Sequence, residues 1–203
     1  MLTIKKALQS SVGKKFIMGI SGLALVGFIL IHLLGNTTLY FKESTLFNAY
    51  VHKLYSLGDF LLVAELGLVA LFMVHIVAAF RVTLSNKSAR PEKYEVQKSK
   101  NGPSKSNITS RNMIVSGVIL LGFLVFHIYQ FRFGPGMAQG YVTDVNGEPS
   151  RDLFKLVIEQ FQNPLIVAIY VGVMLFLGMH LRHGFWSAFQ SLGAMNPRFT
   201  KPI

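Results

Sequence analysis

Cysteine is missing from all 203 residues, which excludes disulfides, iron–sulfur ligation by this chain and any group attached through thioether bonds. Acids are scarce: nine Asp and Glu stand against twenty Lys and Arg. Charged residues make up only 14% of the chain, too few for the surface of an ordinary soluble domain. What takes their place is apolar. Hydrophobic residues reach 51%, and mean hydropathy is +0.45.

A bilayer-crossing helix needs roughly 20 mostly apolar residues. Four runs qualify, at about 16–40, 60–82, 112–133 and 164–189. The first is too long for a cleavable signal peptide, and no small-residue cleavage site follows it. The expected fold is all-α, one integral membrane helical bundle over 1–203 with four transmembrane helices. Ahead of the first run, 1–15 has a weak apolar periodicity that suits a short interfacial helix. The connection 41–59 carries His52 and Tyr55, with His52 expected to be solvated. The connection 83–110, rich in Lys, Ser and Asn with Pro91, Gly102 and Pro103, reads as a solvated loop. In the third connection Gly134–Pro135–Gly136 breaks the helix and Asn146–Gly147 signals a hairpin. The run 151–163 places Leu153, Phe154, Leu156, Val157 and Phe161 at helical spacing, which predicts an amphipathic helix on the outer membrane surface.

The net charge of +11 would suggest nucleic acid in a soluble protein, but its distribution argues otherwise. Lys5, Lys6, Lys14 and Lys15 precede the first run; Arg81, Lys87, Arg90, Lys93, Lys98, Lys100, Lys105 and Arg111 follow the second; Arg182, Arg198 and Lys201 lie at the end. Alternating spans put all of these on one side. Lys42, Lys53, Arg132, Arg151 and Lys155 fall on the other, among acids. By the positive-inside rule both termini face the cytoplasm, as in a multi-pass protein of a bacterial cytoplasmic membrane. The basic face suits anionic lipid or an acidic partner subunit. No nucleic-acid motif accompanies it.

Each apolar run holds a histidine well inside it: His32, His75, His127 and His180. Ionisable side chains are rare within membrane spans and usually functional. At a helical rise of about 1.5 Å per residue, His32 and His127 lie roughly 24 and 23 Å from the cytoplasmic edge, and His75 and His180 about 10–14 Å. The four sort into an outer pair, His32/His127, and an inner pair, His75/His180. Two imidazoles at one depth on different helices are what a six-coordinate haem requires, so the reading is two stacked b-type haems with these axial ligands. With both axial positions filled such a group carries electrons and binds no substrate. The bland alternative is that each histidine hydrogen-bonds across a helix interface. A loose internal repeat supports the pairing: Gly22, Gly27 and His32 share spacing with Gly117, Gly122 and His127, and Gly67–His75 matches Gly172–His180.

Other polar residues carry two readings each. Glu65 within the second run suits a proton-handling or quinone-side role, or a carboxyl paired near the interface. Arg81 and Arg182, near the inner level, suit haem propionates, or serve only as positive-inside residues. His183 and Ser21, with Lys14 and Lys15, are further propionate candidates. Trp186 and the tyrosines near the run ends fit interfacial anchoring.

The stretches 21–32 (SGLALVGFILIH), 72–75 (FMVH), 126–129 (FHIY) and 180–187 (HLRHGFWS) resemble the dihaem cytochrome b558 anchor subunit of succinate dehydrogenase and fumarate reductase. The most specific element is His-x-x-x-Gly-x-Trp-Ser, and the resemblance covers most of the chain. It implies an anchor for a flavoprotein and an iron–sulfur subunit at the cytoplasmic face. It further implies electron entry at the inner haem, exchange with menaquinone at the outer one, and succinate or fumarate chemistry on the flavoprotein. This chain would then be an electron-transfer and quinone-reactive subunit rather than the succinate catalyst. Two departures stand out. The family's usual fifth helix has no counterpart in the given residues after the last ligand, so either the sequence is incomplete or this member manages with four spans; and the acid some fumarate reductases carry beside that ligand is missing here, where the nearby position is Gly178. The rival readings are the dihaem anchor of another quinone-linked oxidoreductase, such as a hydrogenase or formate dehydrogenase, a transmembrane ferric reductase, and a haem-free transport or assembly protein.

Overall fold

The computed structural model describes residues 3–41, 44–89 and 112–194. The basic loop residues between 90 and 111 lie outside the described residues, as do Lys42, Arg198 and Lys201. The described chain is mostly helical, with four helices long and apolar enough to cross a membrane.

Helix α1 (Ile4–Gln9) is the short N-terminal helix, capped by Thr3, whose Oγ1 accepts from Lys6 N at 3.4 Å. Ser10 ends it and caps the next, accepting from Gly13 N at 3.0 Å. The first long helix, α2 (Ser11–Asn36), therefore starts ahead of its apolar run, where the serine cap sets it rather than hydropathy. A 3₁₀ turn, Thr37–Tyr40, follows. The stretch read only as a connection contains a helix, α3 (Ser44–Tyr55). Then come α4 (Asp59–Ser88) and α5 (Met113–Phe131). Strands β1 (Val142–Val145) and β2 (Glu148–Arg151) pair antiparallel, with Val145 opposite Glu148. Asn146 and Gly147 take φ of 55° and 85°, the two left-handed residues that a type I′ hairpin turn demands. Helix α6 (Leu153–Phe161) is capped by Asp152. Helix α7 (Pro164–Ser191) opens with proline at its first position behind Asn163, whose Oδ1 accepts from Leu165 N at 2.9 Å.

Residue contacts divide the chain into two compact units, and each long helix contributes a part to both. The first unit takes α2 up to Val26, α4 from Val69, α5 up to Val118 and α7 from Leu177. Small residues let its helices approach: a Cβ on Gly19 would lie 3.5 Å from the Cα of Ala188. Lys14 Nζ donates to Ser85 Oγ at 2.9 Å, tying α2 to α4. The buried side chains include Ser21, Ser116, Leu25, Ala78 and Ala188.

The second unit holds the remaining parts of those helices with α3, the hairpin and α6. Here α6 spends its apolar face on protein. Leu156 is fully buried, and Phe154 packs on Phe47 of α3 at 6.5 Å between ring centres. Asn48, also buried, donates from Nδ2 to Asp152 Oδ1 at 2.8 Å and accepts from Phe154 N at 3.0 Å. Arg151 donates to the carbonyls of Gly134 and Pro135, which closes the Gly-Pro-Gly corner. His52 is not simply solvated. Its Nδ1 meets Ser150 Oγ at 3.1 Å and its Nε2 meets Glu148 Oε2 at 3.3 Å, so it joins α3 to β2. By contrast Leu30, Ile31, Leu33 and Leu34 of α2 and Leu62, Val63 and Leu66 of α4 are mostly uncovered, as lipid-facing residues are.

Candidate functional site

The first unit contains His75 and His180, the second His32 and His127, so the depth pairing from helical rise coincides with the division by contacts. In the second unit the rings of His32 and His127 stand 5.8 Å apart between centres, with planes crossed at 88°. Each is backed by a phenylalanine one turn earlier. Phe28 stacks on His32 at 5.6 Å and 20°, and Phe123 on His127 at 5.7 Å and 26°. His127 Nδ1 lies 3.1 Å from Tyr170 Oη, which donates to Gln130 Oε1 at 2.8 Å. Gln130 Nε2 in turn donates to Gln160 Oε1 at 2.6 Å.

The first unit holds the other two histidines. His75 Nδ1 lies 3.3 Å from Ser21 Oγ, and His180 Nδ1 lies 3.0 Å from Ser116 Oγ. The neighbouring glycines give the rings room. A Cβ on Gly22 would sit 3.2 Å from His75 Cε1, and one on Gly117 would sit 3.7 Å from His180 Cε1.

The hydroxyls decide the tautomers. Tyr170 has one proton and gives it to Gln130, so its oxygen accepts from His127 Nδ1–H. Ser21 donates to the carbonyl of Ile17 at 2.8 Å and Ser116 to that of Met113 at 3.0 Å. Both therefore accept from Nδ1–H of their histidines as well. With the hydroxyl protons placed on those acceptors, the proton of each of the three rings is assigned to Nδ1 and Nε2 keeps its lone pair. Among the described residues no protein donor meets those Nε2 atoms. A neutral imidazole oriented through Nδ1–H with a bare Nε2 is a metal ligand in waiting.

Two ligands alone suit few metals. Zinc takes three or four protein ligands, and among the described residues no group of three or more His, Asp or Glu gathers to hold an ion. A porphyrin brings four nitrogens of its own and asks the protein for two. Two iron–nitrogen bonds of about 2 Å, plus the distance from each ring centre to its Nε2, set coaxial imidazoles roughly 6 Å apart. The 5.8 Å between His32 and His127 fits that spacing.

The other expected residues fall as follows. Ser21 is committed to Ile17 and His75, which makes it a partner of the ligand itself rather than a propionate contact. Arg81 and Arg182 are exposed, and His183 is half-buried, all in the unit of the inner pair. Glu65 is paired: Arg132 donates from Nε at 2.8 Å and from a terminal nitrogen at 3.1 Å to its two oxygens. Its hydrogen bond to Glu65 holds the Arg132 guanidinium above the usual arginine range. A cavity of about 180 Å³ opens beside them, lined by Tyr55, His127, Ile128, Phe131, Arg132 and Leu153.

Ser116, Tyr170, Gln130 and Phe123 were not among the residues expected from sequence. A stricter alignment of the repeat finds two of them. Residues 21–32 and 116–127 share Ser-Gly-x-x-Leu-x-Gly-Phe-x-x-x-His, which sets Ser116 beside Ser21 and Phe123 beside Phe28. No family model matches the chain, and comparisons with curated proteins and with solved structures return no match.

Proposed function

We propose that this chain is the membrane-anchor cytochrome b subunit of a succinate:quinone oxidoreductase. His75 and His180 would hold an inner b-type haem, and His32 and His127 an outer one. One observation supports this above the rest: three of the four histidines meet a hydroxyl through Nδ1, which leaves Nε2 for iron. When bound, each haem would supply reversible one-electron transfer with no open coordination site.

The chain's own groups do the remaining work. Ser21, Ser116 and Tyr170 hold the imidazole protons on Nδ1 and fix the ring planes. Phe28 and Phe123 stack on the outer rings and limit their rotation. Arg81, Arg182 and His183 are placed to meet propionates on the basic, cytoplasmic side, where an iron–sulfur and a flavoprotein subunit would dock. On this reading quinone exchange takes place in the second unit, at the cavity lined by Tyr55, His127 and Arg132. Menaquinone is the quinone that the family resemblance implies.

The test is a reduced-minus-oxidised absorption spectrum of the purified chain, followed by identification of the subunits that come with it. Two b-type haems per chain and a flavoprotein with succinate–quinone activity are expected. A chain without haem bands overturns the reading. A dihaem chain bound to a different catalytic subunit moves it to another quinone-linked oxidoreductase.

A further inference from the structure

The two inner histidines are served alike, and the outer two are not. Serine precedes glycine on α2 and again on α5. Each serine turns its proton back to its own helix, to Ile17 or Met113, and presents its oxygen to an imidazole on the next long helix. The adjoining glycine leaves space for the ring's Cε1 edge. Both serines are almost wholly buried, at 3% and 7% exposure, so water does not compete for these contacts. Of the outer two, among the described residues, only His127 has a hydroxyl partner, Tyr170.

An imidazole that donates from Nδ1 becomes a stronger electron donor at Nε2, and a stronger donor favours ferric over ferrous iron. We propose that Ser21 and Ser116 are positioning residues that act through His75 and His180 to lower the potential of the inner haem and fix its ligand planes. This rests on the reading that the histidines ligate haem. It assigns both serines to one redox centre, although they lie 95 positions apart in the chain.

The experiment uses the full-length protein in its native complex. The wild type, Ser21→Ala and Ser116→Ala are titrated potentiometrically while the two b-haem bands are followed, and ferric spectra are recorded by electron paramagnetic resonance. Each alanine variant should move the same haem toward reduction. The reduced-to-oxidised ratio at fixed potential should rise several-fold, up to about tenfold, which is 59 mV for one electron. The second haem should keep its wild-type potential and spectrum.

Variants that leave both potentials unchanged overturn the proposal, as do two variants that move different haems. If alanine empties the site, Ser21→Cys and Ser116→Cys keep the size of the side chain but accept only weakly. They should retain haem and show the raised potential. Haem retained at the wild-type potential would mean the serines act in packing alone, and the proposal fails. A wild type with no haem bands overturns the haem reading itself, which separates that failure from the loss of this proposal alone.

Discussion

If the chain binds haem as proposed, replacing Gly22 by alanine should injure the inner site, while the matching change at Gly117 should be tolerated. The ideal Cβ at Gly22 falls 3.2 Å from His75 Cε1 and 3.5 Å from Nδ1. Carbon atoms pack best at about 3.5–4.0 Å, so the ring must retreat by roughly 0.4 Å. Its contact with Ser21 is already long at 3.3 Å, and that retreat takes it beyond hydrogen-bonding range. Overpacking of this kind costs about 1–3 kcal/mol. At 1.4 kcal/mol per tenfold, the inner haem should bind roughly 5- to 150-fold more weakly. At Gly117 the same methyl meets His180 Cε1 at 3.7 Å, an ordinary contact with the Ser116 bond intact at 3.0 Å.

Haem per chain, measured on the two purified variants at limiting haem supply, checks this directly. Gly22→Ala should hold about half the wild-type haem and lose one spectral component, and Gly117→Ala should hold all of it. Equal losses in the two variants, or a greater loss at Gly117, would refute the idea that the approach of His75 to the α2 backbone is the tight one.

Other outcomes follow from contacts of the same kind. Tyr170→Phe removes the acceptor at His127 Nδ1 and should change the potential and ferric spectrum of the outer haem only; a change in the inner haem would count against the pairing. Asn48→Ala deletes two hydrogen bonds from a buried side chain and leaves Phe154 N–H without its acceptor, a loss of about 2–4 kcal/mol. It should appear as a lower melting temperature and faster proteolysis between 134 and 163. Arg132→Leu strands the Glu65 carboxylate, so it should destabilise the chain more than the double change Arg132→Leu/Glu65→Leu, as a thermal-unfolding double-mutant cycle would show. The bond from Tyr141 Oη to Glu159 holds the phenol above its ordinary value of 10.0. The proton is bound more tightly in the folded chain, so this contribution is present below pH 10 and fades as pH rises through the raised value. An ultraviolet phenolate titration should show one tyrosine shifting down in Glu159→Gln.

The parts legible in the sequence are those whose cause is local. Twenty apolar residues in a row leave a membrane helix little choice, because backbone polar groups in lipid must be satisfied within the segment. Asn146–Gly147 takes left-handed φ on both residues wherever it sits, and so the hairpin could be read before any fold was known. Helix α3 had no such signal. Its sequence, STLFNAYVHKLY, mixes polar and apolar residues, and its inward face is defined by Phe154, Asp152 and Ser150, about a hundred positions away. A separation of 67 positions likewise hid the bond between Arg132 and Glu65, each of which had an adequate reading alone.

Ser116 is a different case, because its signal was present and diluted. In an apolar run a serine normally returns its hydroxyl to its own helix, which makes it silent as to function, and Ser116 does return it, to Met113. That back-bond is also what makes the oxygen useful. With its only proton spent, the hydroxyl can do nothing for His180 except accept, and so it can impose one tautomer. A free hydroxyl, able to donate or accept, would leave the ring undecided. The residue that looks inert on its own helix is for that reason the one able to specify the state of the ring on another. What exposes it in sequence is the alignment of 21–32 with 116–127, where a serine keeps its distance from a histidine twice.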